Sequence, residues 1–213
     1  GSMAGAWEAP AATKAWTLSA LGGDGVKGVY YEIKDYAGLI SEYYDSIVLD
    51  TTVPTGSIII NSGNPAYTKS TSVTLYLTYS DATSGVYQVR YADLGGTWTA
   101  WESPATTRVW TLPSGDGKKT IYYQIWDNAG LFSLQYYDEI ILDTVTPVTT
   151  ISHSPGSSTV SLSATDATSG VYATYYRIDL GAWITYTSPF TLSGTGTHTI
   201  DYYSIDNAGN NEA

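Results

Sequence analysis

Residues Lys119 to Pro147 read K-T-I-Y-Y-Q-I-W-D-N-A-G, then L-F-S-L-Q-Y-Y-D-E-I-I-L-D, then T-V-T-P. The two apolar-polar alternations are those of half-buried β-strands. An Asp-Asn-Ala-Gly turn joins them, and an Asp closes the second before a Thr/Pro connector. The pattern recurs. Val29 to Pro54 carries V-Y-Y-E-I-K-D-Y-A-G-L-I and Y-Y-D-S-I-V-L-D-T-T-V-P, and Thr199 to Asn210 repeats the first half as T-I-D-Y-Y-S-I-D-N-A-G-N. The chain is a tandem array.

Trp7-Glu8-Ala9-Pro10 and Trp16-Thr17-Leu18 match Trp101-Glu102-Ser103-Pro104 and Trp110-Thr111-Leu112. Residues 4–52 therefore read as the back half of a repeat, with about four strands. Residues 53–146 read as a complete repeat of seven short strands, at Gly56–Asn61, Ser72–Ser80, Val86–Tyr91, Thr97–Glu102, Thr107–Leu112, Lys119–Trp126 and Tyr136–Leu142. Residues 147–213 read as a more compact copy without the last strand. Alternation predicts that Val73, Leu75, Leu77, Ile121, Tyr123 and Ile125 face inward. Repeat equivalence extends this to Val29, Tyr31 and Ile33, and to Val160, Leu162, Ile200 and Tyr202.

Composition agrees with an all-β protein. Tyr numbers 20 and Trp 7 in 213 residues, while charged residues make up 14%. With no cysteine, neither a disulfide framework nor a thiolate metal site is available. Gly1-Ser2-Met3 reads as an expression remnant with no signal peptide after it. No apolar run approaches the roughly 18 residues that span a bilayer. The formal net charge of -11 opposes binding to nucleic acid or anionic lipid.

Seven short strands punctuated by Gly, Asp and Pro predict a Greek-key β-sandwich, with a small closed barrel as the alternative. The motifs D-x-A-G at Asp35, Asp127 and Asp206, the connectors Leu49–Pro54 and Leu142–Pro147, and the segments Ser80–Val86 and Thr165–Val171 carry a resemblance. Across nearly the whole chain the sequence resembles the tandem immunoglobulin-like modules of prokaryotic cell-surface and adhesin-type proteins. The resemblance implies tandem immunoglobulin-like sandwiches, the first partial, and a role in display, spacing or adhesion.

Catalytic patterns are missing. There is no G-x-S-x-G, no H-E-x-x-H and no phosphate-binding glycine loop, and His153 and His198 stand apart in the sequence. Glu8, Glu102 and Glu139 fall on expected strands beside aromatics, so a structural role is expected for each. Trp98, Trp101, Trp183 and Tyr186 recur at equivalent positions, as sugar platforms or as cross-strand packing. Trp98 and Trp101 are three apart, which on a regular strand points them to opposite faces.

Strand parity makes the sharpest site. If the strands of the complete repeat alternate in direction, the turns holding Asp81 and Asp127 lie where the chain enters, beside Asp50. The same logic gathers Asp143, Asp166 and Asp206 at the next junction. Crowded carboxylates favour a hard cation such as calcium, and the resembled modules bind calcium at such junctions. Asp in turns also caps backbone amides without any metal.

The expectation is a non-enzymatic, extracellular or surface-attached array serving as stalk, spacer or adhesion module, calcium-stiffened at its junctions, with a protein or glycan ligand. Its alternative is a carbohydrate-binding accessory module of a secreted glycoside-active enzyme. The half repeat is expected to be ordered by self-association with another chain or an open sheet edge, or by folding back on the complete repeat.

Overall fold

The computed structural model describes residues 6–63 and 66–212. The Gly1-Ser2-Met3 remnant lies outside them. In the second repeat, β3 (Thr55–Ile60), β5 (Ser72–Ser80) and β7 (Thr107–Thr111) form one antiparallel sheet in the order β3-β5-β7. The facing sheet runs β4-β9-β8-β6, from β4 (Tyr67–Thr68), β9 (Tyr136–Leu142), β8 (Gly117–Asp127) and β6 (Val86–Asp93). Its short β4 lies parallel to β9. The two sheets make the sandwich that the spacing of strands and turns predicts.

Period-two alternation sets which side chains fill it. Ile58, Ile60, Val73, Leu75 and Leu77 come from one sheet, and Val89, Tyr91, Ile121, Tyr123, Ile125, Ile140 and Leu142 from the other, all buried. Tyr91 and Tyr123 stack within it, ring centroids 5.4 Å apart, and neither hydroxyl has a partner. Desolvation raises both phenols, Tyr91 to about 12. Gly56 allows a close approach: a Cβ there would lie 2.3 Å from the Thr78 carbonyl oxygen and 2.5 Å from Ile125 Cδ1.

The third repeat has the same plan, with β10 (Val148–His153), β11 (Thr159–Thr165) and β14 (Phe190–Thr191) in one sheet. In the other, β12 (Val171–Ile178) is flanked by β13 (Ile184–Thr185) and β15 (Ile200–Asp206). Its core is partly polar. Thr149 stands where the second repeat has Gly56, and Ser204 where it has Ile125. Thr149, Thr174 and Ser204 are buried and linked hydroxyl to hydroxyl at 2.6 and 2.7 Å. Glu212 closes the network by accepting from the Thr149 hydroxyl and from the backbone N–H groups of Thr149 and Ser204. Val160 and Leu162 are buried as predicted, whereas Ile200 and Tyr202 are half-buried, because β15 pairs with β12 alone.

Further sequence expectations need correction. Among the described residues the half repeat has two strands, β1 (Gly25–Lys34) and β2 (Ile40–Leu49), paired as a hairpin that joins no larger sheet. Trp7–Pro10 and Trp16–Leu18 form no strand. Their counterparts pair with β6 and β5 in the second repeat, and the hairpin offers no such partners. For the same reason Tyr31 and Ile33, expected inward, are 56% and 46% exposed, and Val29 is only half-buried. Last, Thr97–Glu102 is no regular strand. Glu102 makes a single bridge with Val89, and Thr99 donates to the Tyr91 carbonyl. Among the described residues no helix is long and apolar enough to cross a membrane.

Candidate functional site at the repeat junctions

The connector after β2 brings Asp50 against two turns of the second repeat, Asp81 after β5 and Asp127 at the end of β8. Each of the three offers a carboxylate oxygen, and these oxygens lie within 4.8 Å of one another. Asp143, Asp166 and Asp206 meet in the same way after β9. Two charges at that distance repel by about 3 kcal/mol at an effective dielectric of about 20. The parity of the strands thus gathers at each junction an all-oxygen donor set of the kind that hard cations take.

Both loops are held by the same local chemistry. Asp81 Oδ1 accepts from the backbone N–H groups of Thr83, Ser84 and Gly85, at 3.2, 2.8 and 2.7 Å. Asp166 Oδ1 does the same for Thr168, Ser169 and Gly170. Asp127 Oδ1 accepts from Ala129 and Leu131, and the left-handed conformation that follows at Gly130 (φ 93°) returns the chain toward Phe132. The carboxylate from the preceding repeat joins in: Asp50 Oδ2 accepts from Ser84 N, and Asp143 Oδ2 from Ser169 N. These bonds are those of turn-capping aspartates. They leave one oxygen unexplained, because Asp127 is 1% exposed and its Oδ2 is buried with no hydrogen-bond partner.

Further residues that the repeat pattern did not single out complete the junctions. Asn128 Nδ2 donates to the Ser84 and Gly85 carbonyls, and Asn207 Nδ2 to those of Ser169 and Gly170, bracing one turn on the other. Asp24 accepts from the hydroxyls of Thr51 and Thr52, both at 2.7 Å, and Asp116 from the Thr144 amide and hydroxyl. These acids tie the connector to the loop before β1 or β8. The Thr52 and Thr51 hydroxyls hold the Asp24 carboxyl below its usual range. A Gly-Asp-Gly triplet at 23–25 and again at 115–117 is the sequence trace of this clamp.

The aromatic candidates are arranged differently from expectation. Trp98 and Trp101 do not point to opposite faces; both stack on the Arg90 guanidinium, at 4.6 and 4.5 Å, because their segment wraps the sheet edge irregularly. Both are half-buried. Trp101 also stacks on Phe132. Trp183 is 43% exposed, edge-on to Tyr203 and covered by Arg177, while Tyr186 packs edge-on to Tyr176 and Phe190. His198 is not isolated, since its Nδ1 lies 2.7 Å from Asp179 Oδ2; His153 is exposed. Glu8, Glu102 and Glu139 are each ion-paired, to Lys14, Arg108 and Lys118. Glu8 lies outside any strand.

No protein-family model matches the chain, and no curated protein matches it. Among solved structures it is similar to the fibronectin(III)-like modules of Clostridium thermocellum CbhA, at 12% identity and a TM-score of 0.42, covering 73% of this chain and 89% of that one. It is similar to a tetra-tandem repeat from the extending region of a large adhesion protein, at 16% identity and a TM-score of 0.32. It is also similar to a Ca2+-stabilized adhesin with which an Antarctic bacterium binds ice, at 15% identity and a TM-score of 0.38. Each of these two alignments covers 88% of this chain, which spans 54% of the adhesin structure. These three solved structures are fibronectin(III)-like modules, a tandem adhesin repeat and a Ca2+-stabilized adhesin.

Proposed function

We propose that the chain is a non-catalytic, secreted or cell-surface array that acts as a stalk, spacer or adhesion module, and that calcium stiffens its junctions. Its units are residues 4–52, 53–146 and 147–213. The observation that carries this reading is the recurrence of one acidic trio at both junctions, each completed by an aspartate of the preceding unit. A cation held by Asp50, Asp81 and Asp127 would tie the connector to both turns. Asp143, Asp166 and Asp206 would do the same one unit on. The chemistry that calcium would supply is neutralisation of crowded carboxylates, with no bond made or broken.

The carbohydrate-module alternative finds less support, because the rings of Trp98, Trp101 and Trp183 are stacked on arginines of their own sheet. The array's ligand is a protein or glycan at a surface. The β1–β2 hairpin adds self-association: Tyr31, Ile33, Tyr43 and Ile47 are all exposed, and a two-stranded sheet is marginal alone in water, so a second copy covers it.

Calcium titration by calorimetry, with thermal melting alongside, tests the junction sites. Heat of binding and a rise in Tm at millimolar calcium are expected. The absence of both would remove calcium from the proposal.

A further inference from the structure

The turns after Asp127 and Asp206 are alike in backbone and differ in the side chain that faces the acid. Leu131 and Asn210 occupy the same place, four residues after Asp127 and Asp206. Each donates its backbone N–H to Oδ1 of that aspartate at 2.8 Å, and each returns its carbonyl to the aspartate N–H at 3.1 Å. Beyond the backbone they part. Leucine cannot donate a hydrogen bond, and at the first junction Asp127 Oδ2 stays buried without a partner. At the second junction Asn210 Nδ2 donates to Asp206 Oδ2 at 2.8 Å and to the Asp143 carbonyl at 2.9 Å. That amide therefore ties the acid of one unit to the connector from the other, with no ion needed.

We infer that position 131/210 sets how far each junction depends on calcium: the Leu131 junction is the high-affinity, calcium-dependent joint, and the Asn210 junction is a low-affinity joint locked by its own amide. The inference rests on the calcium reading proposed above. Its second support, beyond the acidic cluster, is the orphaned Asp127 Oδ2, a desolvated carboxylate oxygen with no donor to displace. A cation that takes Asp206 Oδ2 at the second junction competes with the Asn210 amide for that oxygen and pulls the amide from the Asp143 carbonyl. Two hydrogen bonds of ordinary strength weaken binding on the order of tenfold to a hundredfold. The first junction carries no such cost.

Calorimetric titration of the whole 213-residue chain with calcium chloride tests this. The wild type should show two sites at least tenfold apart in Kd, and Asp127→Asn should abolish the tighter one. Asn210→Leu, or Asn210→Ala where the leucine variant folds poorly, should tighten the weaker site toward the first. In a chelator, at a dilution where the chain is monomeric, NMR relaxation of the wild type should show the second and third repeats tumbling together while the hairpin reorients independently. Two sites of equal Kd would overturn the inference while leaving calcium in place. So would weaker binding in the Asn210 variants, because the asparagine would then be turning its Oδ1 to the ion. No binding heat at all would remove the calcium reading and the inference together.

Discussion

Asp127→Asn separates a metal-binding aspartate from one that only caps a turn. Asparagine keeps an Oδ1 that can accept from Ala129 and Leu131, so the turn survives the change. It removes one charge from a trio whose oxygens lie within 4.8 Å, and thus two repulsive pairs of about 3 kcal/mol each at an effective dielectric of about 20. The new Nδ2 also places a donor where Oδ2 had no partner. Against this, the two turn bonds lose their charge assistance, about 1 kcal/mol apiece. Without calcium the variant should be the more stable protein, by about 1–4 kcal/mol once solvent screening at the partly exposed Asp50 and Asp81 is allowed for. For a unit of this size that is a rise of at least about 4 °C in Tm. With calcium the gap closes and then reverses: the wild type gains about 2.7 kcal/mol when calcium stands at a hundred times Kd and about 4.1 kcal/mol at a thousand times Kd, and the variant, short of one charged ligand, gains little. Calorimetric melting in chelator and in millimolar calcium reads both halves of this crossing. A drop in Tm of equal size under both conditions would refute the reasoning and leave Asp127 as a turn cap.

Other consequences are simpler to measure. Leu75→Ala empties a fully buried position between the sheets and should cost about 2–5 kcal/mol in denaturant unfolding; a loss under about 0.5 would mean that the packed face is misassigned. Tyr91→Phe removes a buried hydroxyl that has no partner, so stability at pH 7 should hold or rise. Because burial raises the Tyr91 phenol to about 12, its contribution is fully present below the unfolded value near 10 and is lost as pH climbs through about 12. The Phe variant should flatten that alkaline loss, and an unchanged alkaline profile would count against the burial argument. Light scattering over a concentration series should show association of the chain, reduced by Tyr31→Ser with Tyr43→Ser on the hairpin's exposed face; a strict monomer throughout would rule it out.

Much of this molecule follows from local pattern. Alternation at Val73, Leu75 and Leu77 and at Ile121, Tyr123 and Ile125 assigns the buried face, because a strand's side chains can go only up or down. Counting strands assigns the ends at which Asp81 and Asp127 emerge, and the repeat carries both results to the next junction. The parts that needed tertiary structure depend on partners remote in the chain. The alternation of Val29, Tyr31 and Ile33 matches a core strand, but burial requires a facing sheet, and the hairpin has none. Trp98 and Trp101 share a side because their irregular segment brings both rings onto Arg90 of β6. Gly56 with Ile125, and Thr149 with Ser204, are complementary pairs whose logic is invisible until the strands meet. The lone oxygen of Asp127 and the satisfied one of Asp206 differ by a single side chain four residues on, and only the folded turn brings that amide to bear on the carboxylate.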